Sequence, residues 1–162
     1  MMKRAVVLLV ALALALPAAG WAQGKTNFSG TWVFSPAKSE RAAAGGAGGG
    51  RGAAVTAALA AVSTLYVKQT EAELTIENEG TYRLDGRESI NRLQNGQSTT
   101  KASWDGAKLV LASTQSLSTA VGKFDIQTKD LWSLDAGVLT IERTADTPEG
   151  PRARKLIYTL FK

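Results

Sequence analysis

From Val62 to the C-terminus, apolar and polar side chains alternate over short stretches divided by turn dipeptides. This is the period-2 signature of strands with one face inward and the other in water. Leu74 and Ile76 share a face with Thr75 and Glu77 opposite, so 73–77 is expected to form a hairpin with 62–68. Stretches 81–84, 88–94 and 97–104 follow, closed in turn by Asp85-Gly86, Asn95-Gly96 and Asp105-Gly106. Each dipeptide joins a residue tolerant of positive φ to a glycine, the chemistry of tight hairpin turns. Stretches 107–113, 123–134, 138–143 and 154–161 continue the meander. The strand from Lys123 is the plainest, with Phe124, Ile126, Thr128, Asp130 and Trp132 on one face and Lys123, Asp125, Gln127 and Lys129 on the other. The last strand carries Leu156, Ile157, Tyr158, Leu160 and Phe161 on both faces, which predicts a strand covered on both sides or one that closes the sheet against the first. The segments Trp104-Asp105-Gly106 and Trp132 to Gly137 echo each other as recurrent hairpin chemistry rather than as a duplicated domain.

The pattern is different before Val62. Residues 37–61 form an insertion whose core, the Ala/Gly tract 42–54, is broken only by Arg51. Such composition buries too little apolar surface to offset its ordering entropy, so 42–52 is expected to be flexible. Val55, Leu59 and Val62 stand at i, i+4 and i+7, a spacing that allows a short helix over 53–61 lying across one barrel mouth. At the N-terminus, Lys3 and Arg4 precede an unbroken apolar run from Ala5 to Leu16 and then Pro17-Ala18-Ala19-Gly20-Trp21-Ala22. That is the order of a secretory signal peptide with small residues at the cleavage positions, so residues 1–22 are read as a leader cut after Ala22. The run is shorter than the roughly 20 residues of a membrane-spanning helix. The expected mature chain, 23–162, is one domain without a membrane anchor, in the periplasm or secreted.

The formal charge of +5 becomes +3 once Lys3 and Arg4 are removed. The basic residues are scattered rather than clustered among aromatics, which argues against nucleic acid as a partner. The densest group, Arg152, Arg154 and Lys155, reads first as a solvated strand start and second as an anion site. With no His and no Cys in the chain, His-based triads and the common zinc ligand sets are excluded. Glu71 and Glu73 flank an expected turn, and Asp125 and Asp130 fall on opposite faces, so neither pair forms an acid/base dyad. The glycines of 45–52 lack the Lys-Ser/Thr of a phosphate-binding loop. No cofactor or metal is expected, and a binding role is expected ahead of an enzymatic one.

The sharpest local motif is Asn27-Phe28-Ser29-Gly30-Thr31-Trp32. A glycine permits close backbone approach and a tryptophan is large enough to plug one end of a small barrel. The motif resembles the opening strand of the calycin barrels, in which an aromatic residue and then Gly-x-Trp mark the first strand; Phe28, Gly30 and Trp32 are the matching residues. With Ser35-Pro36-Ala37-Lys38-Ser39 behind it, the chain is most similar to bacterial lipocalin-like secreted proteins of unknown function. The resemblance implies an all-β fold, an antiparallel up-and-down barrel of 8–10 strands, with the Gly/Ala-rich insertion after its first strand. It also implies a late basic residue packed across Trp32, for which Arg143 and Arg154 both qualify. The function it implies is binding of a small apolar or amphipathic ligand, with Trp104, Trp132, Phe124, Arg154 and Tyr158 as candidate lining residues. Arg154 and Tyr158 share a strand face, although they do not match the Arg-x-Tyr pattern of fatty-acid-binding proteins. The alternative is a protein-binding module, such as an inhibitor of secreted proteases, reaching its partner with 23–26 and the Gly-rich loop.

Overall fold

The computed structural model describes residues 24–41, 51–94, 96–119, 122–147 and 150–162. Residues 1–23 and 42–50, on which the expectations of a cleaved leader, a flexible tract and loop-mediated partner binding mainly fall, lie outside them. Among the described residues the chain forms ten strands and one helix: β1 (Gly30–Phe34), α1 (Arg51–Ala58), β2 (Thr64–Gln69), β3 (Glu73–Ile76), β4 (Gly80–Arg83), β5 (Glu88–Leu93), β6 (Gly96–Asp105), β7 (Lys108–Thr119), β8 (Gly122–Asp135), β9 (Val138–Thr147) and β10 (Gly150–Leu160). The strands make one antiparallel sheet in the order β4-β3-β2-β1-β10-β9-β8-β7-β6-β5. Every neighbour is the next strand in sequence except at β1, which pairs with β10 through Trp32↔Leu160 and Phe34↔Tyr158. This is the up-and-down barrel expected from the sequence, with the Gly-x-Trp strand at the seam.

Strand alternation decides what faces inward. On β8, Ile126, Asp130 and Trp132 are buried while Lys123, Asp125, Gln127 and Lys129 are exposed or partly so. One end of the barrel is packed solid. Phe28 is fully buried there, stacked on Trp104 with ring centres 6.3 Å apart and set edge-on against Trp132 at 5.7 Å. The Trp32 indole N–H donates to the Phe28 carbonyl at 2.9 Å. The segment that carries Phe28 is tied across the barrel floor: Phe28 N–H donates to Gln69 Oε1, Gln69 Nε2 donates to Thr26 O, and the Thr26 hydroxyl donates to Ala107 O. The motif residues therefore work as a plug held by polar stitches at its rim.

The sheet is not closed by a backbone ladder at β4 and β5, which are its two edges. Side chains bridge them instead. The Asn91 carboxamide accepts from Thr81 N–H at 3.0 Å and donates to Thr81 O at 3.2 Å, standing in for a peptide group of a missing neighbour. Ser89 Oγ accepts from Arg83 N–H at 2.7 Å. Gly80 is required for this seam, because a Cβ at that position would collide with the Asn91 carboxamide and its φ of +148° suits glycine alone. Edge strands expose unpaired N–H and C=O groups, and Asn91 satisfies one of each. Asn91→Ala should cost about 1–3 kcal/mol by leaving them unpaired. Urea unfolding measures the loss, and hydrogen exchange at the Thr81 amide should accelerate; unchanged exchange would show that the carboxamide does not hold the seam.

Candidate functional site

Trp132 lies between two unlike halves of the interior. On one side it packs into the Phe28 plug, and on the other it forms part of the wall of a cavity of about 330 Å³. The cavity is roofed by α1 and the residues after it, Ala54, Ala57, Ala58, Ala60 and Ala61. Its apolar wall comes from Ile76, Leu93, Leu111 and Leu117, and its polar wall from Ser98, Ser113, Gln115, Thr128, Asp130 and Arg143. The hydroxyls of Ser98, Thr100 and Ser113 form a chain, at 3.3 Å between the first two and 2.8 Å between the last two.

The helix is anchored in two ways. Val55 and Leu59 are buried against Ile126 of β8 and Ala145 of β9. Beyond that contact, two guanidinium groups from the barrel reach the carbonyls at its C-terminal end. Arg143 Nη1 donates to Ala58 O at 3.2 Å and to Ala60 O at 3.3 Å, and Arg154 Nη1 donates to Leu59 O at 3.1 Å. The last carbonyls of a helix have no intrahelical donors and carry partial negative charge, so cations there are favourable. The helix has no basic residue in its own last turn, and the barrel supplies two.

Arg143 is also paired. Its Nε and Nη2 donate to the two carboxylate oxygens of Asp130 at 2.8 and 2.6 Å, a two-pronged contact between side chains that are each largely buried. Burial works against the guanidinium charge, but the Asp130 contact overcomes it and holds Arg143 above its ordinary range. Glu79, in the turn between β3 and β4, faces the same cavity. Burial raises its carboxyl above the ordinary value; Arg143 opposes that rise and Asp130 adds to it. Tyr82 is pushed above its usual range, first by burial and then by Glu79. Tyr158 is pushed up to about 12, mainly by burial. The cavity thus contains one cation, its paired carboxylate and a second carboxylate in a site that disfavours its charge.

The residues singled out in the sequence fall in different places. Trp132 lines the cavity. Trp104 lies in the plug, stacked on Phe28, with the Lys25 ammonium 5.6 Å above its ring. Phe124 is half-buried on β8, opposite Leu117. Tyr158 is fully buried against Phe34 at 5.4 Å, and Arg154 holds its guanidinium 5.9 Å from the centre of the Phe34 ring. Arg154 also donates to Glu40 O, so it fastens the chain after β1 as well as the helix. Of the two arginines considered for packing on Trp32, Arg154 sits over Phe34 and Arg143 enters the ion pair. Sequence reasoning did not single out Glu79, Tyr82 or Asn91. It placed Asp130 on the inward face of its strand, and a buried acid there requires a cation at the neighbouring strand position, which is where Arg143 stands in register.

Two outcomes test this electrostatic arrangement. Asp130→Ala should cost about 3–5 kcal/mol by leaving the guanidinium buried and unpaired, whereas Asp130→Leu combined with Arg143→Met should recover most of that loss in thermal unfolding. Glu79→Gln should stabilise the protein near neutral pH. Because the folded-state pKa of Glu79 lies above its ordinary value of 4.5, the native state binds more protons than the unfolded one between those two values. Stability contributed by this group therefore falls as pH rises through that window. Wild type and variant should match in acid below the ordinary glutamate pKa and diverge above it; matching curves throughout would show that Glu79 is not in a buried setting.

Neither a family model nor a curated protein sequence matches this chain. Among solved structures, it is similar to the crystal structure of a "secretary abundant heat soluble (SAHS)" protein from Ramazzottius varieornatus, with a TM-score of 0.52 and 11% identity over 83% of this chain and 95% of the other. At that identity the likeness concerns the fold. Together with the nearly closed ten-stranded sheet, it places the chain among lipocalin-like antiparallel barrels in architecture.

Proposed function

We propose that this protein is an exported lipocalin-like barrel that holds a small amphipathic molecule in the cavity beneath α1. The observation that carries the reading is the division of the interior: one half is packed by Phe28, Trp32 and Trp104, while the other keeps a cavity of about 330 Å³ with an apolar wall and a charged one. Ligand pockets span roughly 300–1,000 Å³, mostly apolar with a few convergent polar groups. This cavity sits at the lower end of that range and suits a small guest. Its polar wall favours an amphipathic guest over a purely apolar one, since a hydrocarbon would leave Glu79 and the hydroxyl chain without water. The helix provides the entrance, because its attachment is a small apolar contact plus arginine hydrogen bonds that can be exchanged for water. Support for export comes from the basic, apolar and small-residue order of residues 1–22. The chemistry of the interior supports binding rather than catalysis, since its carboxylates and tyrosines have no nucleophile set against a base.

Filling the cavity tests the reading. Gln115→Trp puts an indole into the space while leaving the plug and seam untouched. The variant should fold with unchanged or higher thermal stability and lose binding of an environment-sensitive amphiphilic dye by about tenfold or more, which is at least 1.4 kcal/mol. Native mass spectrometry of the wild-type protein from its own host should show a retained small molecule that the variant lacks. Equal dye binding by both proteins would place the guest elsewhere and overturn the proposal.

A further inference from the structure

The interior charge is set against the charge of the whole molecule. The chain is net positive, yet the cavity presents one guanidinium and two carboxylates. Arg143 is already committed, with Nε and Nη2 on Asp130 and Nη1 on the two carbonyls after α1. A guest carboxylate would find a single Nη2 proton of Arg143 outside that pairing and would face both Asp130 and Glu79. Glu79 is the group left over. It lies on the cavity wall in the β3–β4 turn, closed by Glu79 N–H to Ile76 O at 3.1 Å. Arg143 of β9, Asp130 of β8 and Tyr82 of β4 line the same cavity, and the Tyr158 hydroxyl of β10, outside the cavity wall, is near enough to feel the Glu79 charge. Of these only Arg143 is cationic, and four of its five N–H donors are engaged, two of them on Asp130.

We infer that the cavity selects guests with a cationic amine head and a short apolar tail, the ammonium pairing with Glu79 and the tail lying along Leu93, Leu111, Leu117 and Trp132. The inference rests on the binding reading above and specifies the head group. An ammonium supplies what the site lacks, a positive charge and hydrogen-bond donors beside a partly desolvated carboxylate. It also removes the cost of ionising Glu79 in a buried setting, so guest binding and deprotonation of Glu79 reinforce each other. Since the overall positive charge would draw in anions by long-range attraction, a preference for amines has to come from the cavity itself.

Calorimetric titration with octylammonium, octanol and octanoate at neutral pH, on wild type and Glu79→Gln, tests this. The expected result is that octylammonium binds wild type about tenfold or more tightly than the other two, and that the preference disappears in Glu79→Gln while octanol binding is retained. Octanoate binding as well as octylammonium does, or a preference that survives Glu79→Gln, would overturn the amine assignment. The amphiphilic dye separates the two levels of failure. If the dye binds in the cavity and octylammonium does not, the head-group assignment fails alone; if neither binds, the cavity reading fails with it.

Discussion

A guanidinium carried into the barrel is the constraint around which the upper half is arranged. A buried cation must have a counter-charge and must spend its donors, or it destabilises the fold by several kcal/mol. Arg143 meets both demands through Asp130 on the adjacent strand and the carbonyls after α1. One side chain therefore couples β8, β9 and the helix. Because its planar fork fixes three directions at once, it also fixes where the helix ends relative to the barrel. A lysine could offer the charge but not that geometry. The cavity exists because this arrangement holds α1 over the mouth with alanines facing inward, too small to fill the space beneath.

The lower half is organised by a different force. Phe28, Trp32, Trp104 and Trp132 bury large aromatic areas in edge and stacked contacts, and the polar stitches through Gln69 and Thr26 keep the chain end from fraying. Burial of this kind is strong and non-directional, and it fills the interior at this end with rings. The two halves meet at Trp132, which is core to one and wall to the other. A barrel of ten strands is near the size at which side chains either fill the interior or leave space for one small ligand, and here the outcome differs between its two ends.

Much of the fold was legible in the sequence because its signals are local. The turn dipeptide Asp105-Gly106 joins the paired strands β6 and β7, whereas Asp85-Gly86 turns the chain between β4 and β5, which share no backbone ladder; alternation on β8 gave the inward face correctly down to Asp130. The pairing of β1 with β10 was one of the two arrangements that the two-sided apolar character of the last strand allowed. The candidate site was much less legible. On β5 and β6 the inward positions include Ser89, Asn91, Ser98 and Thr100, so both faces read as polar and the alternation carries no direction. Glu79 follows a turn residue with positive φ, Asn78, and in sequence it is indistinguishable from the solvated acids around it. It shares its cavity with Asp130 of β8 and Arg143 of β9, more than forty residues away in the chain. Aromatic residues drew attention as lining candidates, yet of these only Trp132 reaches the cavity wall and Trp104 serves the plug, because large rings are as useful for filling one end of a barrel as for lining the other.

The weak seam between β4 and β5 belongs to the same logic. A continuous ladder there would draw β4 and its preceding turn into the rigid frame that β6 to β10 form. Bridging by Asn91 and Ser89 instead leaves two four-residue strands, β3 and β4, attached mainly through β2. Glu79 rides on the turn between them. The carboxylate that the interior least tolerates is therefore placed in the turn that leads into the sheet's edge strand β4. The one junction bridged by side chains rather than by peptide groups thus lies beside the strand that follows this buried acid in an otherwise closed barrel.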